Sequence, residues 1–296
     1  MATQARSDDV VFAYVRTHVD QLTAWDPKVR QDEPDSVHKM RVATRRLRGT
    51  LQSFRRFFDP EQARQLEVEL KWLGGLLGQA RDEEVLCGHL VADLSRLPAE
   101  LVVGPVQARI VGHFAPRQAA GRADVLTALD GDRYAALLVA LDALLGSPTQ
   151  AASAGRPAAK ELPKTVGKAL RRVNRRMKHA VALPHGEERE IALHQARKAA
   201  KRARYAAEAL EPVARKKSRR SVKTMTKLQT VLGDHQDAVL VSRTVRGLGM
   251  LAHMNGENSF TFGVLYERNA ATLPDLQKKA ERHWEQRRKE RRIWES

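Results

Sequence analysis

One pattern occurs twice in this chain, and it restricts what the chain can fold into. "VHKMRVATRRLR" (37–48) aligns with "LHQARKAAKRAR" (193–204) at an offset of 156 residues. His38 meets His194, Arg41 meets Arg197, Arg45 meets Lys201, Arg46 meets Arg202 and Arg48 meets Arg204. Further on, "LGGLLGQARD" (73–82) aligns with "LQTVLGDHQD" (228–237) at an offset of 155, which pairs Gly78 with Gly233 and Asp82 with Asp237. Upstream, Arg16 pairs with Arg172. Two motifs in the same order at nearly the same separation indicate a duplicated unit.

The unit is helical. Apolar residues recur with a helical period along most of the chain, and strand-like runs are few. In the first copy, helices are expected over 8–25, 36–58 and 61–95, with another before a last one through 134–145. Pro27 is read as a break, Asp35 or Ser36 as the cap of the second helix, and "GGLLG" (74–78) as a soft point. The stretch 146–163, small, polar and rich in Pro and Gly, reads as a linker. Beyond it the order of helices starts again, with a long helix from about 215 to 254 softened at Gly233. The expected fold is all-α: two homologous helical bundles, residues 1–150 and 160–296, related by a pseudo-twofold and together forming one unit.

Charge is distributed unevenly between the copies. Residues 1–150 hold 19 Lys and Arg against 20 Asp and Glu, whereas residues 151–296 hold 33 against 15, so the net charge of +17 is −1 in one half and +18 in the other. A half this basic points to a polyanion: nucleic acid, an anionic membrane surface or polymeric phosphate. The chain has one cysteine, Cys87, in an apolar helical stretch, where it reads as a small core residue. The first residues form no continuous apolar segment of the signal-peptide kind, and no run approaches the ~18 apolar residues of a membrane span. A cytoplasmic protein is expected.

The duplicated helices separate two faces. Met40, Thr44, Leu47, Leu51, Phe54 and Phe58 step by four and three and make a core seam. His38, Arg41, Arg45 and Arg48 fall on another stripe, extended by Arg55 and Arg56. In the second copy Leu193, Ala196, Ala200, Ala203 and Ala207 form the seam, and the alanines admit close approach of a neighbouring helix. His194, Arg197, Lys201 and Arg204 repeat the cationic stripe, with Lys198 and Arg202 beside it. No acid occurs between Asp35 and Asp59, nor between Glu190 and Glu208. Like charges at i,i+4 destabilise a helix by about 0.2–0.5 kcal/mol per pair. Either acids from other helices offset these stripes or an external anion does, and the duplication favours the anion.

Arginine forks bind phosphate oxygens in pairs. Cations spaced by one helical turn, ~5 Å, suit an anion with a short repeat such as polyphosphate. Duplex nucleic acid has wider phosphate spacing, and single-stranded binders add stacking aromatics, which at 5 % are scarce here. The ordinary reading of an arginine stripe is a solvated surface, and of a lone histidine a hydrogen-bonding structural group. Gly78 and Gly233 read as close-packing positions, and Asp82 and Asp237 as groups that hold basic residues in place. No metal-ligand spacing, phosphate-binding glycine loop or nucleophile elbow occurs, so no catalysis, metal or cofactor is expected.

"VHKMRVATRRLRGTLQSF" followed by "LKWLGGLLGQARDEEVL" resembles the signature of CHAD domains, the conserved histidine α-helical domain, and "LHQARKAAKRARYAAEAL" with "LQTVLGDHQDAVL" repeats it more loosely. The resemblance implies two four-helix bundles whose basic residues line a central groove or pore that binds inorganic polyphosphate. It also implies location on polyphosphate granules for some members, and polyphosphate-metabolising enzymes as partners. Carried onto this sequence, His38, Arg41, Arg45, Arg46 and Arg48 match the first motif, and Lys71 the basic position before "LGG". His194, Arg197, Lys198, Lys201, Arg202 and Arg204 match the second. Arg16 and Arg172 follow from the repeat alignment alone. The copies diverge where Gln236 stands opposite Arg81. Nucleic acid is the alternative partner.

Overall fold

The helical period becomes helix along almost the whole chain. The computed structural model describes residues 5–146, 155–288 and 294. The first half forms α1 (Ser7–Arg30), α2 (Ser36–Ser53), α3 (Pro60–Ser95), α4 (Val106–Asp130) and α5 (Asp132–Gly146). The second forms α6 (Ala158–Ala182), α7 (Glu187–Glu208), α8 (Glu211–Met254), α9 (Phe260–Ala270) and α10 (Leu273–Arg288). The fold is all-α. Among the described residues there is no strand, only an isolated bridge between Arg6 and Pro157. Each half carries five helices among the described residues, where the family resemblance implied bundles of four.

Both predicted seams are buried. Met40, Thr44, Leu47, Leu51, Phe54 and Phe58 are all at most 6 % exposed, as are Leu193, Ala196, Ala200, Ala203 and Ala207. Thr44 is tolerated there because its hydroxyl donates to the Met40 carbonyl at 2.9 Å. Cys87 is half-buried beside an apolar cluster, and burial pushes its thiol pKa up.

Several boundaries differ from expectation, each for a local reason. Pro27 does not end α1: the missing donor falls in the last turn, Val29 is buried, and Gln31 N–H returns to the Pro27 carbonyl at 3.0 Å. α2 stops at Ser53 because Phe54 leaves helical geometry (φ −113°, ψ 27°), and a 3₁₀ turn carries Arg55–Phe57. Asp59 then caps α3 by accepting from Gln62 N–H at 2.8 Å, with Pro60 in the first turn. Neither glycine position softens its helix: α3 and α8 run through Gly78 and Gly233, and the non-helical residue in α8 is Ala214, just after Pro212. The expected linker is shorter, since residues 158–163 are the first turns of α6, with Ala158 and Leu162 fully buried. Residues 147–154 lie outside the described residues.

The helices pack in the same order in each half: α1 on α2, α2 on α3 and α3 on α4, then α6 on α7, α7 on α8 and α8 on α9. Between halves α1 meets α6, α2 meets α7 and α3 meets α8, so each helix touches its sequence counterpart. The start of α1 is tied to the approach to α6 by Ser7 N–H to the Arg156 carbonyl (2.9 Å) and Ala158 N–H to the Ala5 carbonyl (2.8 Å). The apolar interior does not divide at the linker. One cluster draws on both halves, and a second joins Leu90, Ile110 and Phe114 to Val245 and Leu265.

Candidate anion-binding groove

The duplicated basic helices α2 and α7 lie side by side. At their closest approach Gly49 faces the Tyr205 ring, and a β-carbon at position 49 would sit 3.1 Å from a ring carbon. Tyr205 is 1 % exposed, and its hydroxyl accepts from Arg45 Nε at 2.8 Å. Arg46 and Arg204 lie over the ring, 5.7 and 5.1 Å from its centroid. Both also reach Glu208, at 3.2 and 3.3 Å. Tyr14 of α1 donates to the same carboxylate at 3.1 Å, and burial followed by the Glu208 charge pushes the Tyr14 pKa up. Three helix-borne groups thus converge on one carboxylate, two of them cationic, which leaves a surplus of positive charge.

One turn towards the N-termini, Arg41 and Arg45 face Arg197 and Lys201. Lys201 makes no ion pair within 4 Å among the described residues. Burial, then the charges of Arg197, Arg45, Arg41 and Arg204, lower its pKa to about 7. Burial likewise lowers Arg197, opposed by the charge of Asp237. Burial raises Asp237, opposed by Arg197.

The two glycines and two aspartates of the second motif act on this row. Arg41 donates to Asp82 at 2.8 Å, and its guanidinium passes 3.3 Å from where a β-carbon on Gly78 would stand. The Arg197 guanidinium passes at the same 3.3 Å from that position on Gly233. Each copy therefore lays the first arginine of its stripe over a glycine of the next helix, close to an aspartate. Gly78→Ala should leave folding stability unchanged or raise it by up to about 1 kcal/mol, because alanine is the better helix former and the obstructing atoms end a flexible side chain. The displaced Arg41 should weaken anion binding several-fold; thermal denaturation and anion titration of the same variant check both.

At the mouth stand the histidines. Burial, then the Arg81 charge, lower the His38 pKa; burial, then Lys198 and Arg197, lower that of His194. Arg81 is held by Asp35 (3.2 Å) and Glu84 (2.6 Å). Asp35 therefore does not cap α2 through its side chain as expected: it adopts φ 61° and turns its carboxylate to Arg81. At Arg81's counterpart stands the uncharged Gln236, whose side chain favours the protonated form of His194. At the other end Arg202 has its pKa lowered by burial and then by Arg172 and Arg48, with Arg55 nearby and paired to Glu67 at 3.1 Å.

The predicted residues are not all brought together. His38, Arg41, Arg45, Arg46, Arg48, His194, Arg197, Lys201, Arg202 and Arg204 share the α2–α7 region, and Arg172 joins Arg202 from α6. Lys198 is exposed beside His194. Arg16 on α1 and Lys71 on α3 are exposed, with no ion pair tying them to the groove among the described residues. Sequence reasoning missed Tyr205, Glu208 and Tyr14. The signal for the first two was faint: a tyrosine within an alanine run, and the first acid after seventeen residues without one.

Eight Arg and Lys side chains of α2 and α7 thus face four carboxylates, Asp82, Asp237, Glu208 and Glu67. The Nε atoms of Arg46, Arg48, Arg81, Arg197 and Arg204, and Nδ1 of His194, are buried without a hydrogen-bond partner. Buried donors are normally satisfied. Among the described residues no group of three or more His, Cys, Asp or Glu is placed to hold a metal ion, and no helix is long and apolar enough to cross a membrane.

The family model described as the CHAD domain matches residues 13–246. The chain belongs to the CHAD domain family. Two uncharacterised proteins of Mycobacterium tuberculosis, from strains CDC 1551 and H37Rv, are each 38 % identical to it over 266 residues. The match covers 88 % of this CHAD chain and 50 % of those proteins, so the chain spans about half the length of the curated relatives it matches. PptA from Streptomyces chartreusis shares the fold with a TM-score of 0.77 at 20 % identity, covering 95 % of this chain and all of that one. The CHAD domain from the plant Ricinus communis superposes with a TM-score of 0.63 at 22 % identity, covering 95 % and 93 %.

Proposed function

We propose that this CHAD protein binds inorganic polyphosphate along the groove between α2 and α7 and performs no chemistry on it. The carrying observation is the row Arg41, Arg45, Arg197 and Lys201, whose positive charge exceeds what Asp82 and Asp237 offset. A cluster that pushes one of its own lysines to a pKa of about 7 is short of an anion. Arginine forks from both helices supply paired donors at one-turn spacing. The Tyr205 ring is buried beneath guanidinium groups and closed to base stacking, which favours polyphosphate over single-stranded nucleic acid. A protein of this kind would sit in the cytoplasm, on polyphosphate granules or beside enzymes that make or consume the polymer.

Protonation tests the reading. A polyanion restores the charge on Lys201, so binding at pH 8 should take up about one proton per groove. Calorimetric titration with medium-chain polyphosphate in two buffers of different ionisation enthalpy measures that number. Binding without proton uptake would place the polymer elsewhere on the surface, and no binding would remove the proposal.

A further inference from the structure

The groove does not account for the charge on α6. Between Glu161 and Glu187 the chain runs 25 residues without an acid and carries seven Lys and Arg. Glu161 itself is already engaged, by Lys164 at 2.9 Å and by Arg56 at 3.3 Å. Lys164, Lys168, Arg171, Arg175 and Lys178 step by four and three along α6, all of them exposed. They stand on the face opposite the buried seam Leu162, Val166, Leu170, Val173 and Met177. The stripe is ~21 Å long at 1.5 Å per residue. Lys168, Arg175 and Lys178 have no ion pair among the described residues. The duplicated fold does not require this stripe: α1, the counterpart of α6, carries three cations against four acids. Surface helices ordinarily mix signs, because like charges one turn apart repel.

Arg172 joins this stripe to the groove. It is exposed, its charge acts on Arg202 at one end of the groove, and along α6 it stands one turn from both Lys168 and Arg175. Positive charge is therefore continuous from the groove onto the outer face of α6. That face shows no exposed large apolar side chain for a membrane and no Phe, Trp or Tyr for stacked bases, and its cations repeat at the one-turn spacing of the groove. We infer that long-chain polyphosphate leaves the groove at Arg202, passes Arg172 and continues along Lys168, Arg171 and Arg175, which form a second, surface segment of the binding site. This inference rests on the groove being a polyphosphate site. A short polymer is held by the groove alone. A long one adds the outer contacts through the same chain, so the second engagement is intramolecular, and affinity rises with chain length.

The test titrates tripolyphosphate and long-chain polyphosphate into the full chain, into Lys168→Gln with Arg175→Gln, and into the groove variant Arg45→Glu with Lys201→Glu. Both α6 side chains are exposed and without an ion pair, so their variant should keep the parent's helical circular dichroism and melt. Its affinity for tripolyphosphate should equal the parent's. Its affinity for long-chain polymer should fall roughly ten-fold, and the log–log salt slope should shrink by about 1.4, or 0.7 for each lost phosphate contact. Long-chain affinity and salt slope unchanged from the parent overturn the inference. An equal loss for both polymers also overturns it, because the substitutions would then be acting on the groove. Single-stranded DNA that displaces long-chain polymer from the parent as far as the α6 substitutions do would make this face a nucleic-acid surface and overturn it too. The groove variant tests the underlying reading separately. If it binds long-chain polymer as well as the parent while the α6 variant does not, the groove assignment fails and the α6 segment stands.

Discussion

Reversing two charges at the centre of the groove, Arg45→Glu with Lys201→Glu, should lower polyphosphate affinity by about 100-fold or more. Each substitution removes a cation and places a carboxylate against the phosphate chain. Charge-assisted hydrogen bonds are the strongest polar contacts available here, and truncating one in a partly desolvated site costs about 2 kcal/mol or more. Both residues sit on the cationic stripe and not on the buried seams, and Arg45 gives up one hydrogen bond to Tyr205. The double variant should therefore keep its helical circular dichroism and a cooperative melt. Titration with polyphosphate checks the affinity, and unchanged binding would mean that the stripes of α2 and α7 are not the site.

Removing the carboxylate that ties the groove together should have opposite effects on stability and binding. Glu208 is 17 % exposed in its side chain and serves Arg46, Arg204 and Tyr14 at once. Glu208→Ala leaves two guanidinium groups and a hydroxyl without their partner, and breaking such a partly buried pair should cost about 3 kcal/mol of folding stability. The same change frees Arg46 and Arg204 for phosphate, so polyphosphate should bind tighter and restore much of the lost stability by mass action. Thermal melts with and without polymer check this: the variant should gain more from the ligand than the parent does. Equal gains would mean that Arg46 and Arg204 do not face the bound anion.

Lys201 also makes stability depend on pH in a defined direction. Its folded pKa of about 7 lies below its ordinary value of 10.5, so between these the unfolded chain binds more protons and stability rises with pH across that window. Below pH 7 the amine is charged in both states and the protein carries the full cost of burying it. Lys201→Met should flatten the rise between pH 7 and 10, measured by denaturant unfolding at successive pH values. A polyanion should flatten it too, because the bound charge lifts the lysine back towards its ordinary pKa.

What was readable in the sequence is what depends on position along one helix. The seam Met40, Thr44, Leu47, Leu51 and the alanine seam of the second copy follow from the 3.6-residue period, and all of these residues are buried. The cationic stripe follows from the same period. The repeat named Gly78, Gly233, Asp82 and Asp237 as positions that matter, but not that the glycines make room for the guanidinium groups of Arg41 and Arg197. That geometry depends on α3 and α8 crossing next to α2 and α7, which no local pattern encodes. The Tyr14–Glu208–Arg46–Arg204 knot joins three helices across 194 residues of chain and was illegible for the same reason. Asp35 has the chemistry of a cap, yet Arg81 captures its carboxylate, a tertiary contact overriding a local preference. Arg16 was placed by the repeat alignment and Lys71 by the family resemblance, and both lie outside the groove's contacts. The basic tail "RRKERR" (287–292), read as frayed and nonspecific, reaches no part of this argument: its residues 289–292 lie outside the described residues, as do the side chains of 287 and 288.

The central claim is that the charge on α2 and α7 is neutralised by polymeric phosphate. Its most direct measurement is calorimetric titration of the purified protein with defined medium-chain polyphosphate at two salt concentrations, repeated in excess single-stranded DNA. The account predicts stoichiometric binding that persists in the presence of DNA and weakens with salt, with a log–log slope of magnitude about 3 or more from displaced counterions. Equal or stronger binding of DNA, or polyphosphate affinity indifferent to salt, would contradict it.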